Sequence, residues 1–246
     1  MLNRKNILFA FAMLIITSWI FSSCKKEDGF RHFATKDVTP DAFHTIQVEG
    51  LLDIHLIEDT VFSVHFEGEE RVMNRTSAEV RDSVLYLESS KKGEAFRPSE
   101  KTMAVYIHLK NLKKIVANED CNITCENALT GNEIGLVAST RWVKADLKLN
   151  CTVFYYWNNP NGITMNLSGQ VDQLKLWNVG LAGVDASALT ARYVLVENGS
   201  RSDCKVRATE TIEYKLSNTG NIIYYGNPTQ LIDNGNSGSG QLVKGD

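Results

Sequence analysis

The 246-residue chain is predicted to fold as an all-β parallel β-solenoid with coils of about twenty residues. Three observations carry that prediction. The composition, 43% hydrophobic and 22% charged, is that of a globular protein, and it leans on the strand and turn formers Val, Ile, Thr, Tyr, Asn and Gly. Written in rows of twenty, the sequence places Asn118, Asn158, Asn178, Asn198 and Asn218 in one column, interrupted by Ala138 and followed by Gly238. Upstream, Ile134, Phe154, Leu174, Val194 and Tyr214 form one apolar column, and Leu136, Tyr156, Leu176, Val196 and Leu216 form the next. Apolar residues spaced by two within a row, and stacked between rows, describe strands whose inward faces sit on like strands above and below. A β-sandwich explains alternation but not a recurring turn column.

The elements follow in chain order. Residues 1–23 join a basic start, Arg4-Lys5, to an apolar stretch over 7–20 and a Ser22-Ser23 ending, which is the pattern of a secretory signal. About 14 apolar residues are too few to span a ~30 Å hydrocarbon core as a helix. The Ser22-Ser23-Cys24 ending resembles a bacterial lipobox, which implies that Cys24 becomes the lipidated N-terminus and that the partner at this end is the outer membrane. The alternative is an ordinary signal peptide with a chance cysteine. Cleavage removes two bases and no acid, leaving 24 basic and 29 acidic residues and a charge of −5. Lys25-Lys26-Glu27-Asp28 is similar to the export signal of surface lipoproteins in Bacteroidetes-type bacteria, so cell-surface display is expected, with a plain solvated linker as the alternative. Residues 24–41 read as a flexible tether, which at about 3.4 Å per residue reaches up to ~60 Å.

Residues 42–110 read as irregular opening strands that start the solenoid and cover its first edge. Their apolar pairs are Ile46/Val48, Leu52/Ile54/Leu56, Phe62/Val64/Phe66 and Val84/Tyr86/Leu87, with a helical turn or two over 69–78 and a polar loop over 91–101. Residues 111–246 read as the β-helical repeats of the same domain. The turn column Asp120, Thr140, Pro160, Gly180, Ser200, Gly220 and Gly240 closes each coil, since these residues take or preset turn conformations. A second apolar set, Val143/Ala145/Leu147 and Ile163/Met165/Leu167, slips by one residue at Val184/Ala186. A one-residue slip inverts a strand's faces, so a later coil must absorb an extra residue in a turn or bulge.

The opening Phe43-His44-Thr45-Ile46-Gln47-Val48-Glu49-Gly50, the return Val80-Arg81-Asp82-Ser83-Val84-Leu85-Tyr86-Leu87 and the entry Leu112-Lys113-Lys114-Ile115 precede the repeats. Gly220-Asn221-Ile222-Ile223-Tyr224-Tyr225-Gly226-Asn227-Pro228 and Asn236-Ser237-Gly238-Ser239-Gly240 close them. Together these segments resemble the "putative auto-transporter adhesin, head GIN domain" family of Bacteroidetes lipoproteins, over roughly residues 42–243. The resemblance implies a right-handed parallel β-helix and an adhesin-type role, with no catalytic residues to carry over. Most members repeat Ser-Gly-Ser-Gly in every coil; this chain keeps it only at Ser237-Gly238-Ser239-Gly240.

Inward-facing 154 and 156 put 155 and 157 outside, and the same parity exposes 175 and 177 on the next coil. Tyr155, Trp157 and Trp177 are therefore expected to form an external aromatic patch, suited to stacking on sugar faces or apolar partner side chains. Lys175 is placed to contact a carboxylate, and Asn158 and Asn178 to add hydrogen bonds. The plainer readings are that other strands cover the patch and that the asparagine column is a turn device.

The opposing function classes are a carbohydrate-active enzyme, a polysaccharide hydrolase or lyase, and a purely structural envelope protein. Glu126 and Asp146 share a column, which would set two carboxylates about one strand spacing apart between Lys144 and Lys148. A solvated ion-pair cluster is the plainer account, so no catalytic site is expected. His55 and His65 are expected to face one another across a hairpin with Asp53 nearby, without the ligand spacing of a zinc site, and no metal or cofactor is expected. Once Cys24 is lipidated, Cys121, Cys125, Cys151 and Cys204 allow one or two disulfides without requiring them; Cys125 and Cys204 fit the apolar columns and Cys121 falls at a turn. A near-neutral charge with no basic block argues against a nucleic-acid partner. No Gly-rich stretch follows a strand and opens a helix, so a nucleotide has no cradle. Asp59-Thr60-Val61 and Asp82-Ser83-Val84 match a short O-glycosylation pattern.

Overall fold

Each strand alternates inward apolar and outward polar positions, and the coils stack those positions in register. The computed structural model describes residues 32–89, 103–159 and 162–246. The signal segment, Cys24, Lys25-Lys26-Glu27-Asp28, the 91–101 loop and Pro160 lie outside the described residues. In chain order the elements begin with β1 (Phe33–Val38), β2 (Thr45–Glu49), β3 (Leu52–Glu58), β4 (Ser63–Glu69), the single-turn helix α1 (Glu70–Met73), β5 (Thr76–Arg81) and β6 (Val84–Ser89). They continue with β7 (Met103–Leu109), β8 (Lys114–Ala117), β9 (Cys121–Cys125), β10 (Leu129–Ala138), β11 (Trp142–Asn158) and β12 (Gly162–Gly180). β13 (Gly183–Ser200), β14 (Cys204–Leu216), β15 (Ile222–Tyr225), β16 (Gln230–Asn236) and β17 (Leu242–Lys244) complete the chain.

The stack is parallel, and through its middle the repeat is twenty residues: Val143 pairs with Ile163, Leu149 with Gly169, Phe154 with Leu174 and Trp157 with Trp177. β11, β12 and β13 are 17, 19 and 18 residues long, most of a coil each, so each runs round more than one wall. The columns Ile134/Phe154/Leu174/Val194 and Leu136/Tyr156/Leu176/Val196 are fully buried. Burying a side chain of that size is worth about 1.5–3 kcal/mol, and the columns repeat it on every coil. The slip at Val184 is absorbed by a register shift between Asn166 and Ser168, where β13 carries one extra residue.

Coil length is not uniform, and this corrects the ends of the columns. Ala117, not Asn118, stacks on Ala138, while Asn118 is exposed. At the other end Val194 stacks on Ile212, Val196 on Tyr214 and Asn198 on Leu216, so Asn218 leaves the asparagine column. The cause is local: Lys114 is 21 residues from its partner Gly135, Cys121 is 22 from Val143 and Asn198 is 18 from Leu216.

Two further expectations are corrected at the N-terminal end. The segment 42–110 is not an irregular preface, because β2 pairs in parallel with both β6 and β8, and β3 with both β7 and β9. The first coil in sequence is thus sandwiched between the second and the third, and the stack crosses 110/111 without a break. The tether also ends early: β1 pairs antiparallel with β4, Phe33 opposite Glu69 through Val38 opposite Val64. A chain segment that satisfies an open edge is stabilised there by its backbone hydrogen bonds. Antiparallel β4 on β7 and β5 on β6 close the same end, the latter through a turn at Asp82 and Ser83 with φ of 49° and 61°. The far end is managed differently. All of β16 is exposed, but Asp233 takes the inward position on Tyr214 and Gly235, with φ of 122°, sits where the register breaks; both discourage another strand from adding.

The four described cysteines are free thiols. Cys121 is buried in β9 rather than placed at a turn, and Cys125 is half-buried rather than core. Burial pushes the Cys121, Cys151 and Cys204 thiols up to about 12, which leaves them inert at neutral pH.

Candidate binding wall

Parity within β11 and β12 decides which side chains face solvent. Phe154, Tyr156 and Asn158 point inward, so Tyr155 and Trp157 point outward, and register carries Tyr155 onto Lys175 and Trp157 onto Trp177. The next coil continues the rows with Leu195 beside Lys175 and Glu197 beside Trp177, then Glu213 and Lys215. Trp157 is 42% exposed, and Tyr155, Lys175 and Trp177 are half-buried. Among the described residues the opening strands do not cover this face. The Tyr155 ring instead lies over Gly135, where a Cβ would come within 2.0 Å of it. Burial, then the charge of Glu133, raises its phenol above the ordinary value.

Trp177 divides two shallow clefts on the wall. One, of about 360 Å³, is lined by Gln173, Lys175, Trp177, Arg192, Tyr193 and Leu195. The other, of about 450 Å³, has Trp157, Trp177, Val179, Glu197, Gly199 and Lys215 among its lining residues. Arg192 is held by Asp172, Nε to Oδ1 at 2.6 Å and Nη2 to Oδ2 at 3.2 Å, and by Glu210, Nη1 to Oε2 at 3.0 Å. The hydrogen bond from Arg192 holds the Asp172 carboxyl below its ordinary value. Burial and a hydrogen bond to Glu213 push the Tyr193 phenol up to about 12. Sequence reasoning missed Gln173, Arg192, Tyr193, Leu195, Glu197 and Lys215 as neighbours of the tryptophans. Residues 173, 193, 195 and 197 carry the same outward parity and the same offset of twenty, so the signal was present.

The asparagines are corrected. Asn158 and Asn178 are 1% and 0% exposed, with the inward parity of Phe154 and Tyr156; Asn158 borders the second cleft, but the side-chain hydrogen bonds of both go to the turns within the stack. They hold the turn backbone. Asn158 Nδ2 donates to the carbonyls of Asn159 at 2.8 Å and Val179 at 3.0 Å, and its Oδ1 accepts from Val179 N–H at 3.0 Å. Asn178 Nδ2 donates to the Ala182 carbonyl at 2.9 Å and to Asn198 Oδ1 at 3.0 Å. Neither has a positive φ; among the described non-glycine residues that conformation is confined to Asp82, Ser83 and Asn111.

The paired carboxylates are also corrected. Asp146 pairs with Thr124 and Asn166, because the coil carrying Glu126 is 22 residues from the next; Glu126 lies 3.7 Å from His55 Nδ1 instead. His55 and His65 do not face each other, since β7 runs between β3 and β4. His55 stacks on Tyr106 at 4.7 Å, and His65 lies on its far side at 6.1 Å. Among the described residues no group of three His, Cys, Asp or Glu side chains converges as a metal site would.

His65 sits between Asp37 on β1 and Glu67, at 2.6 Å and 3.2 Å. The hydrogen bond to Asp37 raises its imidazole above the ordinary value, burial opposes, and Glu67 adds to the rise. A raised value means that the clamp on β1 is fully present below about pH 6.5 and is lost as pH rises through the folded-state value. Tryptic cleavage at Lys36 is therefore expected to be about two- to fivefold slower than in His65→Gln at pH 6, with the ratio approaching one at pH 9. A ratio that does not change with pH would show that the pair does not hold β1.

Residues 42–228 match the family described as "Putative auto-transporter adhesin, head GIN domain". No curated protein matches the chain in sequence. Among solved structures, one described as a "putative adhesin" from Bacteroides fragilis NCTC 9343 superposes with a TM-score of 0.81 at 21% identity, over 87% of this chain and 97% of that one. A second "putative adhesin", from Parabacteroides merdae ATCC 43184, gives 0.62 at 16% identity, over 87% and 98%. A "putative lipid binding protein" from Parabacteroides distasonis ATCC 8503 gives 0.55 at 15% identity, over 87% and 97%. At these identities the likeness is one of fold.

Proposed function

We propose, given that the chain belongs to the "Putative auto-transporter adhesin, head GIN domain" family, that it is a non-catalytic adhesin, lipid-anchored through Cys24 in the outer membrane and displayed at the cell surface. Its contact with glycan, matrix or another envelope protein runs through the outer wall of β11–β13. The observation that carries this reading is Trp157 in register with Trp177 on a face that no described strand covers, flanked by Tyr155 and Lys175. Large rings held flat on a rigid sheet are poor solvent-facing residues and good stacking platforms. A role without catalysis fits the carboxylates about the clefts. Glu197, which lines the second cleft, faces Lys215 at 4.0 Å, and Asp172, whose carboxyl the Arg192 guanidinium holds below its ordinary value, is unsuited to giving up a proton.

The double variant Trp157→Ala/Trp177→Ala should lose tenfold or more of its retention on a glycan and matrix array, while stability changes by no more than about 1 kcal/mol. Retention equal to wild type would remove the reading. Reducing-end release from polysaccharides, abolished by Asp172→Asn or Glu210→Gln, would replace it with the enzyme reading.

A further inference from the structure

We infer that the ligand of this wall is an acidic polysaccharide, with a uronate carboxylate received by Lys175 on one side of Trp177 and the adjoining sugar stacked between Trp157 and Trp177 on the other. The inference rests on the proposed adhesin role and names its ligand class. Of the five cations in β12–β14, four are engaged. Arg192 is held by Asp172 and Glu210, Lys205 by Asp185 at 2.9 Å, and Lys215 faces Glu197 at 4.0 Å. Arg207 donates to the Ser187 carbonyl at 2.7 Å and lies over the Tyr225 ring. Lys175 alone of the five has no hydrogen-bond or ion-pair partner among the described residues, although it is half-buried between Tyr155, Trp177 and Leu195. Its stem is packed beside two rings and a leucine while its ammonium has no anion, so the head is left to pair with a carboxylate brought by a ligand.

The surroundings select a sugar acid over a bare anion. Trp177 supplies a ring face, Leu195 an apolar floor, and Gln173 and Tyr193 uncharged hydrogen-bonding groups in the same cleft. These recognise the ring and hydroxyls of a pyranose rather than its charge. The second cleft is electrically balanced by Glu197 and Lys215 and carries both tryptophans, so it suits a sugar without net charge. Residues 175 and 179 on β12 lie about 13 Å apart along the strand, so the polysaccharide runs with the strand direction over Trp177 rather than along the solenoid axis.

The test is affinity electrophoresis of the purified protein through gels containing polygalacturonate, alginate or hyaluronan, each beside its carboxyl-reduced counterpart, with poly-glutamate as a second anion. At least one polyuronate should retard the wild type roughly fivefold more than its reduced form, and the difference should shrink as salt rises from about 50 to 300 mM. Lys175→Met should erase that difference, and Lys175→Arg should keep it. Equal retardation by acidic and reduced polymers, no retardation by any polyuronate, a difference that survives Lys175→Met, or equal retardation by poly-glutamate would each overturn the inference. Array retention that still depends on Trp157 and Trp177 would leave the adhesin reading standing in those cases.

Discussion

Gly169→Ala is expected to destabilise the protein by about 3–5 kcal/mol, enough to unfold a domain of ordinary stability or leave it insoluble. Gly169 has a φ of 103°, a conformation that strains any side chain by about 1–2 kcal/mol. It also stacks directly on Leu149 of the preceding coil, where an added Cβ would meet the Leu149 carbonyl oxygen at 2.1 Å. Backbone cannot move aside there without breaking the parallel ladder on both neighbouring strands. Gly183→Ala is the control, because its nearest neighbour would be the Ser202 Cβ at 3.7 Å, an ordinary contact. Urea denaturation should separate the two variants clearly. Similar stabilities for both would mean that coil 149 does not lie over coil 169.

Asn178→Ala should lower stability by about 1–3 kcal/mol and leave retention on the glycan array unchanged. The side chain is fully buried and donates to the Ala182 carbonyl and to Asn198 Oδ1. Truncation removes one of two donors from each acceptor, since Ser200 Oγ also donates to the Ala182 carbonyl at 2.7 Å and Ser200 N–H to Asn198 Oδ1 at 3.3 Å, and it leaves a void between Asn158 and Asn198. The same column continues with Asn198, whose Nδ2 contacts the carbonyls of Ser202, Gly220 and Asn221, each at 3.2 Å. The asparagines thus supply, from inside, the hydrogen bonds that the turns between successive coils lack. A loss of binding with unchanged stability would place Asn178 on the ligand side after all.

The middle of the solenoid was legible because its coils are twenty residues long. Asn158, Asn178 and Asn198 fell into one column, and parity put Tyr155, Trp157, Lys175 and Trp177 outside, where the structure has them. The same arithmetic misled at both ends, where Asn118, Asn218 and the Glu126/Asp146 pair were placed by a period that offsets of 21, 18 and 22 residues do not keep. The asparagine role was readable but misread: Asn158 shares the parity of Phe154 and Tyr156, so a side chain there had to point inward. The position of β2 and β3 was not readable. Nothing local in residues 45–58 says that they will lie between 84–109 and 114–125, since that order is fixed by which edges remain unpaired. Phe33–Val38 was hidden for a related reason. Its docking rests on backbone bonds to β4, which leave no apolar alternation in the sequence.

The most direct test of the binding wall is hydroxyl-radical oxidation of the tryptophans with and without the polyuronate that retards the protein most. Trp142, 44% exposed at the start of β11 and outside both clefts, is the internal control for Trp157 at 42%. Trp157 and Trp177 should be protected several-fold by the polymer while Trp142 oxidises at its free rate. Protection of Trp142 alone, or of none of the three, would contradict the account.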